Sequence, residues 1–169
     1  MNCEEAKNRL ALQDGERTMQ AQLDEQSVIS ANAQFWEQML AIKLEPVPMA
    51  EIFCVGTRHL LGSVELSGVW KGRIEVRIDE GLALSATAAM LMQPIDTVGQ
   101  ADTLDATKEI ANMIAGVIKS SLPRPCTMTV PQSVMEPNGC CERQRTENTL
   151  AVGFRHADGD LMVRVSEHE

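Results

Sequence analysis

Three polar side chains and one absent side chain frame the chemistry of this sequence. Asp105, Glu109, Asn112 and Gly116 recur at helical spacing, and at about 100° per residue they fall within an arc of roughly 60° on one helix face. Two neighbouring carboxylates can exchange protons with a substrate or hold a cationic group, and a carboxamide hydrogen-bonds without titrating. A self-contained acid–base hydrolase would also need a nucleophile or a substrate clamp. The chain offers no GxSxG elbow, Gly-rich phosphate loop, HExxH pair or Cys–His signature. Acids and amides on a helix are equally the ordinary composition of a solvated face, and periodicity alone leaves both readings open. Gly116 argues for the first. Glycine inside a helix costs about 0.5–1 kcal/mol relative to alanine, and a packing glycine would belong on the apolar face. Beside Asn112 it leaves a gap that another surface can enter.

The segment 102–121 must carry this stripe. Its apolar positions Leu104, Ile110, Met113, Ile114, Val117 and Ile118 form the opposite face of an amphipathic helix, and Asp102 is expected to cap its start. A small-residue helix from Gly81 to Met92, capped by Asp79, precedes it. An earlier helix from Ser27 to Ile42 carries Phe35 and the core anchor Trp36, and Pro46 and Pro48 forbid its continuation. Period-two alternation marks Ser63–Leu66 and Arg73–Asp79 as a hairpin, with Val64, Leu66, Ile74, Val76 and Ile78 on the buried side. Further strands are expected at Glu51–Val55, at Cys126–Val130 before Pro131, and at 150–154 and 161–165 around a His-Ala-Asp-Gly-Asp turn. Residues 132–149 read as a polar loop. The order α-β-β-β-α-α-β-β-β lacks βαβ alternation and predicts an α+β fold, an antiparallel sheet packed with long helices. Residues 1–25 are expected to form a polar arm or extra helix, and residues 26–169 a single domain.

Composition narrows the partners. A net charge of −9 without a Lys/Arg cluster excludes a nucleic-acid surface. No apolar run reaches the roughly 18 residues that span a bilayer, and the first residues lack a signal peptide's basic and apolar regions. A cytoplasmic location is expected. The five cysteines form no CxxC pair and suit reduced thiols, and adjacent Cys140 and Cys141 fit zinc poorly.

Asp105-x-x-x-Glu109-x-x-Asn112, continuing as Met-Ile-Ala-Gly116, resembles the signature of the CheC/CheX/FliY chemotaxis phosphatases. The text around it agrees: Trp70-Lys-Gly-Arg-Ile-Glu-Val-Arg-Ile-Asp, a Leu/Ala-rich helix, the motif helix, then a strand ending at Pro131. The likeness runs from about residue 27 to residue 165. The first core helix has Glu37-Gln-Met-Leu40, with leucine where a second motif copy would need asparagine, so one site remains, as in CheX.

The resemblance implies a substrate: the aspartyl phosphate of a CheY-like response-regulator receiver. It implies that Asn112 positions the attacking water and that Glu109 docks the receiver's active-site lysine. Asp105 carries over as a supporting motif position; apart from the resemblance, the exposed Gly116 is read as clearance for a partner's surface. No cofactor of its own is implied; Mg²⁺ is expected in the receiver. Phosphoryl transfer needs mainly positioning and charge stabilisation, which suits a helical carboxamide when the substrate brings metal and lysine. A homodimer paired through sheet edges is expected. The competing reading is a non-catalytic adaptor that binds a receiver in chemotaxis or another two-component pathway.

Overall fold

The computed structural model describes residues 23–52, 58–137 and 148–168. Three helices lie on one face of a seven-stranded sheet whose paired strands are all antiparallel. The helices are α1 (Glu25–Leu40), α2 (Glu80–Leu91) and α3 (Gln100–Lys119). The strands are β1 (Glu45–Val47), β2 (His59–Gly68), β3 (Gly72–Asp79), β4 (Cys126–Met128), β5 (Gln132–Glu136), β6 (Thr149–His156) and β7 (Gly159–Glu167). Along the sheet the order is β1-β6-β7-β3-β2, and β2 then pairs on its outer side with both β5 and β4. This is the α+β, antiparallel architecture that the alternating hydrophobic pattern demands.

The register follows from side-chain chemistry. Val64 faces Ile74 and Leu60 faces Ile78 across the β2–β3 pair, and all four are buried beneath the helices. Residues of opposite parity point to the other face. There Arg73 lies 3.4 Å from both Glu65 and Glu75, and Arg77 pairs with Glu136 at 2.7 Å. The cross-strand pairs Arg73–Glu65 and Arg77–Glu136 keep the outer face polar and hold the register. Between the layers lie Trp36, Phe154, Ile110, Ile114 and Leu82 among the largest fully buried side chains, and Trp36 meets Phe35 edge-on at 6.3 Å.

Local chemistry sets the helix ends. Asp24 caps α1 by accepting the Ser27 N–H at 2.8 Å, and that bond holds its carboxyl below the usual carboxylate range. Asp79 stands at the cap position of α2, as expected, but its side chain makes no capping bond there. It accepts instead from the Asp160 N–H at 2.8 Å and lies 2.7 Å from Nδ1 of His59. His59 opens β2 and is buried, so this histidine lies at a strand end but not at the surface.

Two expectations about strands need correction. Residues Met49–Glu51 form a 3₁₀ turn, and the strand before the hairpin is β1, three residues containing Pro46. Proline lacks an N–H and suits an edge, which is where β1 lies, paired only with β6 among the described residues. The remainder of the expected strand, residues 53–55, lies outside the described residues. Second, the stretch after Pro131 is not all loop: Gln132–Glu136 is a strand. Pro131 interrupts the edge rather than ending it. Thr129 fills the break, its N–H donating to the Glu65 carbonyl at 2.9 Å and its hydroxyl accepting from the Glu65 N–H at 3.1 Å. The expected arm lies largely outside the described residues, as do Cys140 and Cys141.

Candidate functional site

Helix α3 is seated closely on the sheet because small residues line the contact. At Gly62 of β2, an added β-carbon would stand 2.7 Å from Ala111 Cβ and 2.8 Å from the Thr107 carbonyl oxygen. The buried side of α3 runs through Thr103, Ala106, Thr107, Ile110, Ala111, Ile114, Ala115 and Ile118. It is less apolar than expected: two threonines are buried, and Val117, assigned to the apolar stripe, is 42% exposed. The threonines tolerate burial because each hydroxyl donates to the carbonyl one turn back, Thr103 to Gly99 at 2.9 Å and Thr107 to Thr103 at 2.8 Å. The helix starts earlier than expected, with Gly99 at the cap position. Asp102 sits three residues on, where its carboxylate accepts the Gly99 N–H at 3.0 Å. A further tie comes from β5, whose Ser133 hydroxyl donates to the Leu104 carbonyl at 2.8 Å.

On the opposite face the structure brings Asp105, Glu109, Asn112 and Gly116 together as a surface stripe. Asp105, Glu109 and Gly116 are exposed and Asn112 is half-buried. Asp105 is held by Lys108 at 2.8 Å, one turn along the same face. Glu109 and Asn112 are different: neither side chain has a hydrogen bond or ion pair among the described residues. They project from a helix fixed on its other side, so the backbone that carries them is set while their bonding capacity is unused. A β-carbon built at Gly116 meets nothing within 4 Å. Internal packing therefore does not require glycine here, and the gap faces outward.

Sequence reasoning missed what lies beyond Gly116. The last turn of α3 and the connection into β4 enclose an open groove of about 710 Å³, lined by Gly116, Lys119 and Ser120 on one side and Arg124, Cys126 and Met128 on the other. A loop arginine far from the motif gave no periodic signal. Among the described residues no group of three or more His, Cys, Asp or Glu side chains is gathered to hold a metal ion, and no helix is long and apolar enough to cross a membrane.

The described fold is similar to a CheX chemotaxis protein from Vibrio vulnificus, at 20% identity and a TM-score of 0.69 over 88% of this chain and 99% of that one. It is similar to a CheC-like superfamily protein from Shewanella sp. PV-4, at 17% identity and a TM-score of 0.69, covering 85% of this chain and 96% of that one. A CheX–CheY–BeF₃–Mg²⁺ complex from Borrelia burgdorferi matches at 19% identity and a TM-score of 0.62, with 85% and 97% covered. No curated protein matches. The family model for chemotaxis phosphatase CheX matches residues 60–155, from the second strand through the motif helix to the sixth, and the chain belongs to that family.

Proposed function

We propose that this protein hydrolyses the aspartyl phosphate of a CheY-like receiver, with Asn112 orienting the attacking water and Glu109 docking on the receiver's active-site lysine. The observation that carries this reading is the pairing of two unengaged polar heads with a helix locked from behind by the sheet. A carboxamide can accept a hydrogen bond from the water through Oδ1 and donate one to a phosphoryl oxygen through Nδ2 at once. It cannot act as a base near neutrality, so its contribution is orientation. The water oxygen attacks phosphorus in line, the bond from phosphorus to the aspartyl oxygen breaks, and inorganic phosphate leaves the regenerated carboxylate. Mg²⁺ and lysine to neutralise the developing charge come with the receiver. The Borrelia complex, which holds CheY with BeF₃ and Mg²⁺ on a CheX of similar fold, supports the same partner here.

In the present chain Asp105 acts through position, its carboxylate drawn toward Lys108, and Gly116 leaves room for the partner's surface. An internal acid–base hydrolase is a poorer fit: beyond the end of the stripe the Ser120 hydroxyl donates to the Val117 carbonyl at 2.6 Å, and Cys126 is buried. The test is phosphate release from a Mg²⁺-loaded, phosphorylated CheY-type receiver. Asn112→Ala is expected to lower kcat by about a hundredfold or more, a loss typical of removing a group that orients the reacting atoms, while a beryllofluoride-loaded receiver still binds. Equal rates for wild type and variant would end the phosphatase reading, and binding without turnover by the wild type would favour an adaptor. Glu109→Ala is expected to weaken binding itself. We further propose that the protein is a homodimer formed through a sheet edge.

A further inference from the structure

The groove beyond Gly116 carries charge that the rest of the molecule leaves unanswered. Arg58, Arg73, Arg77, Arg155 and Arg164 each pair with a carboxylate. Arg124 is the one described arginine with no acidic partner among the described residues, and Lys119, across the groove, has none either. Among the described residues no Asp or Glu lines the groove. Lys43 and Lys71 also lack an acidic partner among the described residues, but neither lines the groove, whereas Lys119 and Arg124 share it in a chain of net charge −9. The chain itself has no obvious acidic segment to offer them. Residues 1–22 hold four acids against three bases, and residues 138–147 two against two.

The groove is also continuous with the stripe, because Gly116 belongs to both. The surface thus runs from acid at Asp105 and Glu109, through Asn112 and Gly116, to base at Lys119 on the last turn of α3 and Arg124 in the connection that follows. A partner whose active-site lysine meets Glu109 and whose phosphoryl group meets Asn112 extends its next surface over this groove. We infer that the groove is the second half of the receiver's docking footprint, taking an acidic surface element of the receiver against Lys119 and Arg124 and selecting which receiver binds. This inference rests on the proposed phosphatase reading. Charges of opposite sign at the two ends of a footprint fix its orientation, and rim charges act mainly on encounter rate and partner choice.

The experiment compares phosphate release by wild type, the double variant Lys119→Glu/Arg124→Glu, and Lys43→Glu, which reverses a surface lysine outside both groove and stripe. The double variant is expected to raise KM about tenfold with kcat within about twofold of wild type, an effect that shrinks at high salt because Arg124 is exposed and Lys119 half-exposed. Lys43→Glu should leave both constants near wild type. Reversing acidic residues on the receiver should restore the double variant's KM. Circular dichroism establishes that the variants fold; should the double variant fail to fold, Arg124→Gln is read instead, with a smaller rise in KM. An unchanged KM with an active wild type would overturn this inference alone. A fall in kcat without a change in KM would overturn it in favour of a role in the chemistry. Competition by millimolar inorganic phosphate, abolished in the variant, would overturn it in favour of a small-anion site. A wild type that neither binds nor dephosphorylates receivers would overturn both this inference and the phosphatase reading.

Discussion

A β-carbon added at Gly116 would meet no atom within 4 Å, whereas at Gly62 it would press on Ala111 and on the Thr107 carbonyl. The same residue type therefore answers to opposite needs, and substitution separates them. Gly116→Ala is expected to raise stability in urea by about 0.5–1 kcal/mol, since alanine holds a helix better and no clash offsets the gain. Gly116→Leu should likewise fold but lose receiver binding by about tenfold or more, because the side chain occupies the space kept for the partner. A destabilised Gly116→Ala would show that the backbone needs glycine for an internal reason. Gly62→Ala is expected to cost about 1–3 kcal/mol, the usual penalty for overpacking a close contact. Because the shift moves α3, phosphate release should fall as well; a variant with full stability and full activity would refute the close seating of the helix.

Among the elements, the strands that were readable from sequence are those buried on one face and wet on the other. β3 alternates Ile74, Val76 and Ile78 with Arg73, Glu75 and Arg77, and burial reproduces that alternation except at Arg77, which is buried with its partner Glu136 close by. The two strands that escaped, β1 and β5, lie at or beside the sheet's edges, where one-sided burial is weaker and Pro46 or Pro131 interrupts the pattern. β5 is drawn into place by pairing with His59–Ser63, a partner more than sixty residues away that local periodicity does not encode. Helix α3 was readable as a helix, and its outward stripe emerged where spacing put it. Its inward face was read incompletely, without Thr103 and Thr107, because a hydroxyl satisfied within its own turn behaves as apolar surface. The groove at Lys119 and Arg124 was unreadable for a different reason: it exists only once the chain after α3 folds back against the helix end.

For the molecule as a whole, the sheet ends decide how copies can meet. β1 offers three residues and a proline to a pairing strand. The β4–β5 side is longer, and Val130 and Val134 are 77% and 51% exposed along it. We expect the dimer at this second edge, since unpaired backbone groups beside exposed valines favour strand addition. Light scattering at micromolar concentration should return twice the chain's 18.5 kDa, and Val134→Lys should shift the population toward monomer. A monomeric wild type would refute the dimer.

The Ser133 hydroxyl on this edge donates to the Leu104 carbonyl of the motif helix. That carbonyl lies at the turn that leads into Asp105 and Glu109. Fraying of the edge strand and opening of the motif turn should consequently share part of one local unfolding event. In amide hydrogen exchange, protection across residues 105–112 should fall when Ser133→Ala removes the tie, and should rise when the edge is paired. Exchange rates at the motif that ignore both changes would show that helix and edge open independently.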